Sequence, residues 1–231
     1  MSNSETRVHF RVIMFMFEAG SRLHLQSIPL ATASTIYHKF FRLNQLQDYD
    51  PFLIGAACLS LACKTEEESV RLRDIVNVCY RTLHKNKTQL EIGDTYWSLR
   101  ESVARCELYL LRALEFKVQF DHPHKYLCHY LKSMSQWMEP NLWEDLPIAR
   151  TAWSLLRDSY HTGLCLDHSP EHIAVSVLYF ALLCHGTEMP FHKHTRKKWW
   201  QVFSEDITLV IIQTIISKII TSYDVENELP R

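Results

Sequence analysis

The chain has 231 residues, 47% of them hydrophobic, and its 25 Lys and Arg against 26 Asp and Glu leave a formal charge of −1. That length suits one large domain or two of ordinary size, and so small a charge supplies no global field for nucleic acid or an anionic membrane. Seven cysteines without a Cys-x-x-Cys arrangement and five glycines far apart, at 20, 55, 93, 163 and 186, exclude a disulfide framework, a zinc knuckle and the Gly-rich loops that cradle phosphates.

Apolar residues recur at helical spacing almost throughout. This predicts helices over about 7–25, 28–46, 51–67, 71–84 and 93–117, then about 124–138, 146–162, 170–185, 196–203 and 206–222. In the last of these, Ile207, Ile211, Ile212, Ile215, Ile216, Ile219 and Ile220 are β-branched but follow the period of a helix, and the period decides. The same segment holds Gln213 and Lys218 and is too short for a membrane span. The polar start MSNSETRVHFR lacks the layout of a secretory leader. The expectation is a nuclear or cytoplasmic protein, not a secreted one, with reduced, buried thiols.

Asp50-Pro51 and Ser169-Pro170 each place a side-chain acceptor at N-cap and a proline at N1. Ile54, Leu59, Leu61 and Ala62 follow the first start at the offsets where Ile173, Leu178, Phe180 and Ala181 follow the second, so one unit is used twice. The expected architecture is all-α, two tandem five-helix bundles over 1–120 and 121–231, joined near FDHPHKY. The small residues Gly55, Ala56, Ala57, Ser60 and Ala62 let neighbouring helices approach, as the central helix of a bundle requires.

That helix ends in Lys64, Thr65 and Glu66 to Glu68, although a helix C-terminus already carries partial negative charge. Further on, CELYLLRALEFKV (106–118) has a core stripe of Val103, Cys106, Leu110, Ala113 and Leu114. Leu108, Leu111, Phe116 and Glu107 lie off it. An apolar strip bordered by charge has the composition of a protein-binding face, and a wide core face has the same composition.

The series FRVIM, IYHKFF, YDPFLIGAACLSLACKTEE, RDIVNV and CELYLLRALEFKV resembles the cyclin box. HPHKYL, AWSLLRDSY, HIAVSVLYFAL and WWQVF resemble the second box of the cyclin Q (cyclin M) branch of that family, which is of the transcription type. The resemblance implies a non-catalytic, cofactor-free regulatory subunit that forms a heterodimer with a cyclin-dependent serine/threonine kinase, cyclin-dependent kinase ten, and activates it in transcription or cell-cycle control. It implies a linked pair of Lys64 and Glu107 at the kinase surface. Leu61, Thr65, Glu66, Leu108, Leu111 and Phe116 would touch the kinase's regulatory helix and favour its active arrangement. Arg11 matches an arginine of the first cyclin helix, but its usual aspartate falls at His38. The substrate-docking patch of cell-cycle cyclins maps to Phe10, Ile13, Met14 and Phe17, with its acidic and amide members at Gly20 and Phe52. No such docking is therefore expected, and those apolar residues are assigned to the core.

Other readings fit less of the chain. His122 and His124, or His185, His192 and His194, lack the cysteine or carboxylate partners of a closed metal site, and His122 and His124 are read as linker residues. HKHTRKKWW (192–200) is too short for a nucleic-acid stripe and reads as a polar loop anchored by its tryptophans. Glu66, Glu67 and Glu68 point in different directions on a helix and do not converge for acid–base chemistry. The alternative function is a cyclin-fold adaptor resembling general transcription factors, without kinase activation.

Overall fold

The computed structural model describes residues 3–85, 90–187 and 197–228. It divides into two compact units that meet between Phe120 and Asp121. The described residues contain helices and no strand.

The N-terminal unit comprises α1 (Asn3–Arg22), α2 (Ser27–Leu43), α3 (Pro51–Thr65), α4 (Leu72–Leu83) and α5 (Asp94–Ala113), with a 3-10 turn at Leu46–Asp48. Asp50 caps α3, its carboxylate accepting from the N–H groups of Phe52 (2.9 Å) and Leu53 (3.3 Å). Every residue from Ile54 to Cys63 is buried, because α1, α2, α4 and α5 all pack on this helix. Small side chains make that possible: a Cβ on Gly55 would lie 3.0 Å from Val12 Cγ1. A Cβ on Gly20 would lie 2.3 Å from Leu30 Cδ2, so a side chain at position 20 would push aside the end of Leu30 where α1 meets α2. Phe10, Ile13 and Phe17 are core residues as expected, whereas Met14 is 41% exposed. Arg11 is exposed, and a buried polar contact between α1 and α2 is made by His9 Nδ1 and Tyr37 Oη at 3.0 Å.

The C-terminal unit comprises α6 (Pro123–Trp137), α7 (Pro140–Asp145), α8 (Ile148–Ser159), α9 (Leu164–Asp167), α10 (Pro170–Cys184), α11 (Trp199–Phe203) and α12 (Leu209–Asn227). Ser169 Oγ caps α10 by accepting from His172 N–H (3.3 Å), and α10 packs on α6, α8 and α12, as α3 does in the first unit. The isoleucines of α12 form a helix, with Ile212, Ile215, Ile216 and Ile219 buried; Ser222 and Val225 continue that face and carry the helix five residues past its expected end. Two elements exceed the five-helix expectation, since α7 and α9 are too short to show a period.

His122 and His124 are not solvated linker residues. Both are buried, because Pro123 starts α6 and its first turn packs against α8. The His124 ring stacks on Tyr160 at 6.0 Å and meets Trp153 edge-on at 5.3 Å, while His122 Nδ1 lies 3.1 Å from Tyr160 Oη. His192, His194 and the basic run up to Arg196 lie outside the described residues. Of the remainder, Lys197 pairs with Glu205 at 2.6 Å, and Trp199 and Trp200 pack on the core of the unit. The thiols divide. Cys58, Cys63 and Cys79 are buried, Cys128 and Cys184 exposed, and Cys106 and Cys165 intermediate. Burial pushes the Cys63 thiol up to about 11 and Cys79 to about 12, which keeps both protonated and unreactive.

Candidate functional site

At its C-terminal end α3 emerges from the core, and Lys64 is the first residue to do so, with 62% of its side chain exposed. Its Nζ donates to Glu107 Oε1 on α5. Glu107 is largely covered, its side chain 10% exposed, and its other oxygen, Oε2, accepts from Ser60 Oγ at 2.9 Å. A carboxylate at this depth is costly unless both oxygens are satisfied, and here a neighbouring hydroxyl and the ammonium share the task. The ammonium stays half in water, with further N–H donors directed away from the bundle.

The remaining tip residues are held in different ways. Thr65 Oγ1 donates back to Ala62 O (3.0 Å) and Leu61 O (3.2 Å). Glu66 Oε1 accepts from Thr32 Oγ1 on α2 at 2.7 Å. Glu67 has φ +58°, and Glu68 N–H donates to Cys63 O at 2.8 Å, which closes the helix with a Schellman turn. The corresponding turn of α10 has Gly186 at φ +60°, with Thr187 N–H donating to Leu182 O at 3.0 Å. The α3 turn therefore uses a glutamate where its counterpart uses glycine, at a cost of about 1 kcal/mol for the Cβ in left-handed conformation. Glu67→Gly is expected to raise the stability of the N-terminal unit by about that amount, visible as a higher urea midpoint. A fall instead would show that the strain does not lie there.

The α5 terminus repeats the motif. Phe116 N–H donates to Leu111 O (2.8 Å), with Glu115 at φ +52° and Phe116 at φ +60°. This turn stops α5 at Ala113, short of the expected residue 117, and leaves the Phe116 ring 65% exposed. Leu108 is also exposed, at 48%, and Leu111 is half-buried.

Lys64 and Glu107 are thus brought into contact, Leu108 and Phe116 are exposed, and Glu66 is tied to α2 through Thr32. Leu61 differs: it is 3% exposed and belongs to the core beneath the site. Cys106 and Ala113, expected in the core stripe of α5, are only half-buried, and Glu107 takes a buried place instead. Sequence reasoning missed the hydroxyls of Thr32 and Ser60. Ser60 was counted as a small packing residue, and a hydroxyl in an otherwise apolar helix was the available signal. Among the described residues no group of three or more His, Cys, Asp or Glu side chains is placed to hold a metal ion, and no helix is long and apolar enough to cross a membrane.

Residues 2–119 match the family described as "Cyclin, N-terminal domain". The chain is similar to cyclin-K of Danio rerio, 31% identical over 222 residues that cover 95% of this chain and 50% of the relative. It is also similar to cyclin pch1 of Schizosaccharomyces pombe, 31% identical over 212 residues covering 89% and 60% respectively. The chain therefore spans about half to three-fifths of these relatives. In fold it is similar to a chain of the yeast RNA Pol II CTD kinase CTDK-1 complex, with a TM-score of 0.73 at 19% identity, covering 98% of this chain and 71% of that one. The tandem helical units and the matched N-terminal residues place it plainly: the chain belongs to the cyclin family.

Proposed function

We propose that this cyclin binds a cyclin-dependent serine/threonine kinase through the tip of α3 and the outer face of α5 and holds it in its active arrangement. The observation that carries the reading is the Lys64–Glu107 pair, anchored inside on Ser60 and bordered by the exposed Leu108 and Phe116. Lys64, Thr65, Glu66 and Glu107 supply the polar part of the face, and Leu108, Leu111 and Phe116 the apolar part. Leu61 supports the face from within. Such a subunit performs no chemistry. It acts by binding the active kinase conformation better than the inactive one, and its contribution to activity is bounded by that difference in affinity.

The kinase we name is cyclin-dependent kinase ten, as the resemblance to the cyclin Q branch implies. The similarity of fold to a chain from an RNA polymerase II kinase complex supports a role in transcription and a nuclear site of action, with the cytoplasm also open to a heterodimer of this kind. The test is to mix the purified chain with purified cyclin-dependent kinase ten and measure complex formation and phosphorylation of a peptide substrate, with the native chain and with Lys64→Glu. Lys64→Glu is expected to weaken association at least about a hundredfold, the penalty for facing a partner with the wrong charge, and to remove activation. Full activation by Lys64→Glu would discard the proposed face, and a chain that joins no kinase would favour the adaptor alternative.

A further inference from the structure

Two buried hydroxyls touch the acidic groups around Lys64. Thr32 and Ser60 are 0% and 1% exposed, and a hydroxyl at that depth must find an acceptor. In a helix the usual acceptor is the carbonyl one turn back. Ser34 and Thr35 on α2 take that course, donating to Leu30 O and Ala31 O, each at 2.8 Å. Thr32 and Ser60 also donate across to carboxylates on other segments, to Glu66 Oε1 at 2.7 Å and Glu107 Oε2 at 2.9 Å. Each carboxylate is thereby fixed from the protein side. Glu107 keeps one oxygen for Lys64, and Glu66 is drawn toward α2 rather than folded over the ammonium.

We propose that Thr32 and Ser60 are positioning residues of the partner-binding site, holding Glu66 and Glu107 so that Lys64 presents its remaining N–H donors in a fixed place to a backbone carbonyl of the kinase. The inference rests on the kinase-binding reading above. Its physical content is preorganisation: side chains ordered before encounter need not lose that freedom on binding.

The test compares affinities for purified cyclin-dependent kinase ten. Thr32→Val keeps the shape and loses the hydroxyl, whereas Thr32→Ser keeps the hydroxyl and loses a methyl. Thr32→Val and Ser60→Ala are each expected to weaken association about tenfold, and Thr32→Ser less than about twofold. A packing role predicts the reverse order for the two Thr32 variants, because serine leaves a void. In a Glu107→Gln background, Ser60→Ala is expected to add less than about twofold, since the two act through one contact. In the free chain, with no kinase present, acetylation of Lys64 by acetic anhydride is expected to rise about threefold in Ser60→Ala as the pair loosens. Native-like affinity of Thr32→Val, an equal effect of Ser60→Ala in both backgrounds, or unchanged Lys64 acetylation overturns the proposal. If Lys64→Glu abolishes association while Thr32→Val and Ser60→Ala do not alter it, only this inference falls; if Lys64→Glu binds as the native chain does, the kinase-binding reading falls with it.

Discussion

Replacing Glu107 by lysine is expected to destabilise the N-terminal unit by at least about 3 kcal/mol, whereas Lys64→Glu, which leaves Glu107 Oε1 without its ammonium, is expected to cost less, about 1–3 kcal/mol. The asymmetry follows from burial. Lys64 is 62% exposed and Glu107 10%, so a new carboxylate at position 64 can turn into water, although Glu107 loses its ammonium partner. Reversal at position 107 places an ammonium beside Ser60 Oγ, which can accept one hydrogen bond from it, and beside the native Lys64, which repels it, with no carboxylate left to balance either charge. The two substitutions are therefore not equivalent probes of binding: Lys64→Glu disturbs the fold less, and its urea midpoint is measured beside its affinity. Hydrogen exchange of peptides from residues 3–113, followed along a urea series, reports on this unit. A native-like midpoint for Glu107→Lys would mean that Glu107 is not held inside as described.

The C-terminal unit is expected to lose stability in mild acid. His124 is buried, its Nδ1 has no hydrogen-bond partner, and burial, helped by the charge of His122, pushes its imidazole down from 6.5 to about 4. Above pH 6.5 both folded and unfolded chains carry it neutral and its full contribution is present. As the pH falls below 6.5, the unfolded chain takes up a proton that the folded one refuses, and stability drops until about pH 4. At that point the loss amounts to about 3 kcal/mol, from about 1.4 kcal/mol for each pH unit. His9, also pushed down by burial despite the opposing charge of Glu5, gives the N-terminal unit the same direction. Urea midpoints measured from pH 7 to pH 4 check this. His124→Phe, which keeps a ring between Tyr160 and Trp153, is expected to flatten the C-terminal slope. A slope unchanged in that variant would move the effect elsewhere.

The helices were legible where two signals agreed. Asp50-Pro51 and Ser169-Pro170 announced α3 and α10, since cap and proline act locally and the buried runs behind them admit little else. The isoleucines of α12 competed between propensity and period, and period prevailed because one face meets the core. The ends were less legible: α5 stops in a left-handed turn built from Glu115 and Phe116, residues with no intrinsic preference for it, so nothing in the composition of the segment marks the stop. At the site, Lys64 and Glu107 were found through resemblance, and Leu108 and Phe116 through the apolar stripe they add to α5. Leu61 was placed on the surface although it is buried, since on a helix enclosed all round no spacing marks an outer face. The His122–His124 segment was misjudged for the opposite reason, because polar composition hid two rings that pack on Tyr160.

The two units also show how one framework accepts different chemistry at a fixed place. Thr32 with Glu66 and Thr151 Oγ1 with His185 Nε2, at 2.8 Å, are pairs 34 residues apart in each unit and stand alike relative to Pro51 and Pro170. The contact between the helices is kept while its acceptor changes from carboxylate to imidazole.

The glycine at the end of α1 constrains what this cyclin can become. A glutamate at position 20, where the docking patch of cell-cycle cyclins carries its acidic residue, would bring its first carbon to 2.3 Å from Leu30 Cδ2, so it enters only as the end of the Leu30 side chain turns aside. That movement disturbs a buried leucine before the new carboxylate brings any benefit. Any gain of such docking is thus set against a loss of packing between these two helices.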